Sequence, residues 1–278
     1  MKRRFYLLTA LGALATAIWG DRAQAQDAIT VRANRWLEVR QLSGQTFTVA
    51  GGQRQSGRIG QRLQRAGDGI STRRNASAIL AIDTTVGFIQ VSENTDLEIV
   101  RMRSTARGGR ITELIVRRGQ ARVQTRPFTN PDTRLDLRTP AGVSGVRGTV
   151  FGISVHPDGR TGVATEEGQV ISAAEGTAVE VDAGLQTLIF PGEAPLPPTP
   201  LRDDPQLNLQ MLRAIDNQQV EIIGRTDPVN LLIFEGEAQV LERSGDFRLT
   251  VPLPSDRNIQ LTVLTPLGTE QVYRLRVP

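Results

Sequence analysis

The side chains that could carry out covalent or acid–base chemistry are few in this sequence of 278 residues. His156 is the single histidine, and its His-Pro-Asp-Gly context predicts a turn, with no identifiable partners for a Ser-His-Asp triad. The chain has no cysteine, and its one lysine is Lys2. Thiolate chemistry and disulfide bonds are therefore excluded, and lysine-based catalysis is excluded beyond the N-terminus.

Carboxylates are the remaining candidates for catalysis or metal binding. Glu166 and Glu167 are neighbours, and neighbours on a strand point to opposite faces, whereas a glycosidase needs two carboxyls facing each other across a cleft. Asp203, Asp204 and Asp246 lack the alternating ligand spacing of an EF-hand loop. We therefore predict no enzymatic activity, no metal site and no cofactor.

The stretch from Thr139 to Val155 predicts a tight bend followed by a strand. Pro140 and three glycines interrupt its first half, and the alternation that follows places Phe151 on one face and Gly152 on the other. Further strands and glycine turns follow as far as Ala173. The pattern predicts a β-meander and not a catalytic loop.

Arg147, Gly148 and Thr149 form the polar centre of this stretch and are the candidate binding residues. The planar guanidinium of Arg147 could bridge backbone carbonyls or a carboxylate across the bend, or it could contact a ligand. Because Arg147 lies within the strand pattern itself, we favour the first role, in which it stabilises the fold.

The same stretch resembles the signature of the FecR domain family. The matching features are Thr139-Pro140-Ala141, Val146-Arg147-Gly148-Thr149, Phe151-x-Ile153-x-Val155, Asp158-Gly159 and Glu167-Gly168-x-Val170. Strands similar to the family's earlier ones extend the resemblance to residues 31–191. It implies a periplasmic domain that relays a signal from an outer-membrane receptor.

The N-terminus has the pattern of a secretory signal peptide. Basic residues at 2–4 precede an apolar run from Phe5 to Ile18, and Ala23-Gln24-Ala25 is typical of a cleavage site. The run is shorter than the ~20 residues of a spanning helix, so we favour cleavage over a retained anchor. We predict a periplasmic or secreted protein, without the cytoplasmic anti-sigma segment that regulators of the FecR family carry.

Charge argues against a nucleic-acid partner. The whole chain has 33 basic and 29 acidic residues, and removal of residues 1–25 leaves 29 against 28, a net charge of +1. The arginines are dispersed and have few aromatic neighbours, whereas nucleic-acid surfaces cluster cations and stacking rings. Solvated strand faces with carboxylate partners explain these arginines better.

Short apolar runs between turn residues predict an all-β protein in three parts. Residues 26–190 form a FecR-like, coiled or solenoid-like β domain. Residues 191–217 form a proline-rich linker with a short helix over Leu207–Ile215, and residues 218–278 form a small sandwich similar to bacterial immunoglobulin-like modules.

We therefore expect a non-enzymatic protein-binding, signal-sensing or scaffolding module of the cell envelope. A peptidoglycan- or glycan-binding accessory protein is one alternative, and a carboxylate-based hydrolase is another. The expected partner is an envelope protein or a glycan, with no nucleic acid and no stable membrane span once the signal peptide is removed.

Overall fold

The computed structural model describes residues 35–84 and 86–278, which belong to one compact unit. The predicted signal peptide, residues 1–25, lies outside the described residues. Within the described part the chain forms 24 strands and no helix, which confirms the predicted all-β class. None of these residues belongs to an apolar helix of membrane-spanning length.

Seventeen strands form the N-terminal part, which we call the stack. Their bounds are β1 (Leu37–Ser43), β2 (Thr46–Ala50), β3 (Gln53–Ser56), β4 (Arg62–Leu63), β5 (Gly69–Thr72), β6 (Ser77–Ile82), β7 (Gly87–Val91), β8 (Asp96–Ser104), β9 (Arg110–Thr125), β10 (Arg134–Arg138), β11 (Val143–Val146), β12 (Val150–Val155), β13 (Thr161–Glu167), β14 (Gln169–Ala174), β15 (Thr177–Asp182), β16 (Leu185–Ile189) and β17 (Thr199–Pro200).

The stack consists of two sheets between which the chain passes repeatedly. Sheet 1 has the strand order β4-β1-β6-β7-β9-β12-β13-β16-β17. Sheet 2 has the order β3-β2-β5-β8-β9-β10-β11-β14-β15. All pairs are antiparallel except β9 with β10. This winding path is the predicted coiled arrangement of strands.

Strand β9 belongs to both sheets and joins them. Its first half pairs with β8 and β10 in sheet 2, and its second half pairs with β7 and β12 in sheet 1. Gly119 lies at the crossing with φ +88°, and a Cβ there would lie 2.6 Å from the Cα of Thr95. Only glycine fits this corner, because the backbone is left-handed and a neighbouring chain touches it.

The space between the sheets is filled by aliphatic side chains and one phenylalanine. Phe151, Ile153 and Val155 of β12 point into this core, which confirms the alternation predicted for the strand. The buried set also includes Leu37, Leu80, Ile89, Leu97, Leu114, Val123, Leu135 and Val163.

The C-terminal part contains two smaller sheets that share a second core. The strands are β18 (Asn208–Ala214), β19 (Gln219–Arg225), β20 (Leu231–Phe234), β21 (Glu237–Ala238), β22 (Asp246–Pro252), β23 (Asn258–Leu264) and β24 (Glu270–Arg276). Their orders are β18-β19-β22 and β21-β20-β23-β24. Ile222 and Leu249 of one sheet pack with Leu261 and Val263 of the other. The arrangement is a sandwich, and its likeness to immunoglobulin-like modules stays a prediction.

The helix predicted over Leu207–Ile215 is wrong, because Asn208–Ala214 is strand β18. Apolar residues at 207, 211, 212 and 215 fit one face of a helix. In the structure the segment instead pairs with β19, and Asp216 closes the hairpin by accepting hydrogen bonds from the N–H groups of Gln218 and Gln219. Tertiary pairing overrides the local pattern here.

The proline-rich segment is extended, as its composition predicts, but it is fastened to the rest of the protein. Thr199–Pro200 pairs with the first residues of β16. The carboxylate of Asp203 accepts hydrogen bonds from Thr265 and Thr269 in the sandwich. The proline-rich segment is therefore not a free spacer. The domain boundaries at residues 190 and 217 stay predictions.

The sandwich covers the outer face of sheet 1 at β12 and β13. Gly152 lies directly against the backbone of Pro266 and Leu267. The hydroxyl of Ser154 donates to the carbonyl of Val229. The buried guanidinium of Arg160 donates to main-chain carbonyls of residues 241 and 242 in the sandwich. Sheet 1 is thus covered here on both faces.

Candidate functional site

The three candidate residues Arg147, Gly148 and Thr149 lie together at one end of a shallow groove on the outer face of sheet 2. The groove has a volume of about 510 Å³. Its other lining residues are Asp136, Val143, Val146, Gly145, Gln169, Ile171 and Ala173. The structure therefore brings the predicted residues together with side chains from β10, β11 and β14.

The shape of the groove follows from strand register. Asp136, Gly145 and Ile171 are cross-strand neighbours on β10, β11 and β14. Because alternate residues of a strand face the same side, this row lies on the outer face of sheet 2. Gly145 has no side chain and leaves a depression, beside which Ile171 is 48% exposed. An apolar floor is thus open to solvent.

Arg147 lies at the rim of this groove and is exposed. Its carbonyl accepts a hydrogen bond of 3.1 Å from the N–H of Phe128. Its guanidinium forms no hydrogen bond or ion pair with any residue that the structure describes. The guanidinium therefore makes neither of the bridging contacts considered from the sequence, and its donors face solvent beside the groove.

Gly148 and Thr149 have backbone roles at the crossing from sheet 2 to sheet 1. Gly148 has φ +116°, and a Cβ there would lie 2.8 Å from the nitrogen of Pro127, so its requirement for glycine is steric. The N–H of buried Thr149 donates to the hydroxyl of Thr125 at 3.1 Å. The Thr149 hydroxyl itself is buried and has no partner among the described residues.

A charged network borders the groove on the same face. Glu113 of β9 is almost fully buried and is contacted by three guanidiniums, those of Arg101, Arg134 (3.4 Å) and Arg138 (3.3 Å). Burial acts to raise the pKa of Glu113, but Arg101 and the other guanidiniums outweigh it and hold the pKa below its usual value. The sequence indicated carboxylate partners for the arginines but not this convergence.

Asp136 is the second carboxylate of the network and forms the wall of the groove. It pairs with Arg134 at 3.1 Å and faces Glu113 across the strand pair. Burial raises the pKa of Asp136, and Arg134 only partly offsets the effect. The two carboxylates are neighbours in one sheet surface and Glu113 lies beneath guanidiniums, so they cannot enclose a substrate between them as a hydrolase requires.

His156 occupies the predicted turn between β12 and β13, where its N–H donates to the carbonyl of Arg160 at 3.0 Å. The sequence did not indicate that the imidazole is buried, with neither ring nitrogen hydrogen-bonded to a described residue. Burial and the adjacent Arg160 lower the pKa of His156 to about 4, while Asp158 and the Val229 backbone act in the opposite direction. The ring belongs to the contact between stack and sandwich.

A second cavity of about 550 Å³ lies between the stack and the sandwich. It contains the carboxylates of Glu93, Glu235, Asp256 and Glu270, and burial together with Glu93 raises the pKa of Glu270. Among the described residues no group of three or more histidine, cysteine or acidic side chains could hold a metal ion. The groove beside Arg147 contains the three residues that the sequence singled out, and we therefore take it as the candidate site.

Substitution of Arg147 by alanine tests whether its side chain supports the fold. We expect the free energy of unfolding to change by no more than about 0.5 kcal/mol, as for exposed residues without specific contacts. Arg101→Ala is the control, because it removes one guanidinium from Glu113 and should cost about 1 kcal/mol. Denaturant unfolding measures both, and a larger loss for Arg147→Ala than for Arg101→Ala would assign Arg147 a structural role.

Comparison with known proteins identifies one family in the centre of the chain. Residues 68–171 match the FecR protein family, and they contain β5 to β13 and the three candidate residues. The resemblance inferred for residues 31–191 is confirmed over this range. No curated protein matches the sequence.

Solved structures similar to this chain include a candidate anti-sigma factor and a polysaccharide lyase. Two crystal structures of a candidate anti-sigma factor from Parabacteroides distasonis share 13% and 14% identity, with TM-scores of 0.39 and 0.37. The match covers 48% of this chain and 59% of that protein, less than two thirds of its length. A polysaccharide lyase shares 8% identity over 87% of this chain and 40% of its own, with a TM-score of 0.21.

Proposed function

We propose that this chain is a non-enzymatic signal-sensing or protein-binding module of the cell envelope, exported by its N-terminal segment, and that it binds an envelope protein through the groove beside Arg147. The match of residues 68–171 to the FecR family supports the sensing role. The signal-peptide pattern of residues 1–25 supports the location.

The observation that carries the proposal is the open apolar groove within the family-matched region. The floor around Ile171 is apolar, and the polar groups of Arg147, Gln169 and Asp136 surround it. An apolar centre with a polar rim is the composition of protein interfaces. The outer face of sheet 1 is covered by the sandwich at β12 and β13, so sheet 2 is the face of this region that remains open for a partner.

Photocrosslinking in cells tests this function. A photoreactive residue at position 171 should crosslink to an envelope protein, because Ile171 lies on the floor of the groove. The control position is Ile59, which is 68% exposed but lies outside the groove lining. Crosslinking of equal strength at both positions, or only to cytosolic proteins, would contradict the proposal.

Gly145→Val is a second test of the groove, because it changes the binding surface itself. The nearest atom to a Cβ at position 145 is a carboxylate oxygen of Asp136 at 3.2 Å, which belongs to a movable side chain. Valine also suits a strand, so we expect a change in stability below about 1 kcal/mol. The added side chain fills the depression and should abolish the crosslink at position 171.

A further inference from the structure

Strand β18 lies at the edge of its sheet, and almost all of its residues are exposed to solvent. It pairs with β19 along one side only, and six of its seven residues are exposed. Along its other side no strand is paired among the described residues. A strand in this position presents unpaired backbone groups that can accept another strand.

The pairing with β19 identifies which backbone groups are free. The N–H of Ile215, just after β18, donates to the carbonyl of Gln219 at 2.9 Å, so the residues of β18 that are hydrogen-bonded to β19 are Arg213 and Met211. Because hydrogen-bonding direction alternates along a strand, Leu212 and Ala214 direct their N–H and C=O groups away from β19. These groups form the free edge.

The side chains of this edge lack the usual protection against pairing. Leu209, Met211 and Ile215 are 38%, 39% and 50% exposed, and the one charged residue in the strand, Arg213, is engaged by Glu221 at 2.7 Å. The strand contains no proline and no lysine. A bulge between Leu209 and Met211 interrupts only its first residues.

The other edge strands of the described part are protected. β4 and β21 have two residues each, β17 contains Pro200, and β3 is polar throughout. β15 carries Glu180 and Asp182, and β24 carries three charged residues at 270, 274 and 276. β22, the opposite edge of the sheet that contains β18, carries Asp246 and Arg248 and ends at Pro252. The contrast singles out β18 as the edge at which another strand can add.

We propose that β18 pairs antiparallel with β18 of a second copy of this chain, about a two-fold axis at Leu212. This register places Leu212 opposite Leu212 of the second copy and Met211 opposite Arg213 of the second copy, and it brings Ile215 beside Leu209 of the second copy. No like charges are opposed. An axis at Arg213 would place two guanidiniums opposite each other, which is unfavourable.

The sequence of β18 also indicates which strand pairs with its free edge. β18 of a second copy has the same free edge, and its one charge, on Arg213, is paired with Glu221 of its own sheet, so a two-fold contact uses both free edges without opposing like charges. Such an isologous contact closes at the dimer and does not continue as a fibre. The two three-stranded sheets then form one sheet of six strands.

Substitution at position 214 tests the proposal on the full chain. Ala214→Pro removes an N–H that points away from β19, and proline is tolerated at such edge positions, so folding should be retained. Ala214→Ser keeps the N–H and is the matched control. Sedimentation at equilibrium should give a dimer for the wild-type chain and Ala214→Ser, and a monomer for Ala214→Pro. A monomeric wild type, or a dimer that persists in Ala214→Pro, would overturn the proposal.

A crosslink tests the register, because the chain has no cysteine of its own. Leu212→Cys should form a disulfide-linked dimer on oxidation, since directly opposed residues in a hydrogen-bonded pair have Cα atoms about 5.5 Å apart, within the range for a disulfide. Arg248→Cys on β22, an exposed position away from this edge, should stay monomeric on a non-reducing gel. Equal crosslinking of the two variants contradicts the proposed axis.

Discussion

Replacement of Gly152 by alanine is expected to lower the free energy of unfolding by about 3 kcal/mol or more, at the upper end of the range for over-packing. Gly152 faces the sandwich, and a Cβ at this position would overlap the backbone carbonyl of Pro266 and lie 2.9 Å from the nitrogen of Leu267. Backbone atoms cannot rotate away as a side chain does. The stack and the sandwich would therefore have to separate locally.

Gly145→Ala is the matched control for this substitution. Gly145 also lies in a strand and also lacks a left-handed φ, but the nearest atom to its Cβ would be a side-chain oxygen at 3.2 Å. We expect a change within about 0.5 kcal/mol for this control in denaturant unfolding, as for a partly exposed strand position without close backbone contacts. Equal stability of Gly152→Ala and Gly145→Ala would show that the sandwich does not pack against β12 as described.

The stability of the protein should fall as the pH is lowered from 6.5 to 4, by about 3 kcal/mol from His156 alone. The pKa of this imidazole is near its ordinary value of 6.5 in the unfolded chain, whereas it is about 4 in the folded protein. Between these values the proton favours the unfolded state, so stability present above pH 6.5 is lost toward pH 4 and then levels off. Each pKa unit is worth about 1.4 kcal/mol.

His156→Gln isolates this contribution, because glutamine is polar but does not titrate. The guanidinium of Arg160 and the carboxylate of Asp158 face the imidazole and stay in place in this variant. Unfolding free energies measured from pH 7.5 to pH 4 should decline less steeply in His156→Gln than in the wild type, by about 3 kcal/mol over the range. Parallel pH profiles would mean that the imidazole is not buried in neutral form.

The sequence was sufficient for features set by neighbouring residues. The alternation around Phe151 and the glycines at bends both follow from local geometry, and the structure confirms them. The segment at Leu207–Ile215 could not be assigned in this way, because its apolar residues suit a helix and an edge strand equally. Only the adjacent β19 decides between them, and strand pairing is a tertiary contact.

The candidate site was only partly predictable for the same reason. Arg147 was identified from the motif that contains it. The groove also contains Asp136 of β10 and Ile171 of β14, and these residues are neighbours only because of the register in which the strands pair. The burial of His156 depends on contact with the backbone near Val229, in the distant sandwich. The spacing of residues along the chain predicts neither the order of strands in a sheet nor the packing of the sandwich on the stack.

We propose that the groove on sheet 2 binds a partner protein and that the rest of the fold holds the residues of the groove in place. The most direct test is the affinity of the purified full chain for the envelope protein captured at position 171, measured by titration calorimetry for the wild type, Arg147→Ala and Gly145→Val. We predict Kd values at least about tenfold higher for both variants, equivalent to 1.4 kcal/mol or more, at unchanged thermal stability. Wild-type affinity in both variants would contradict the account.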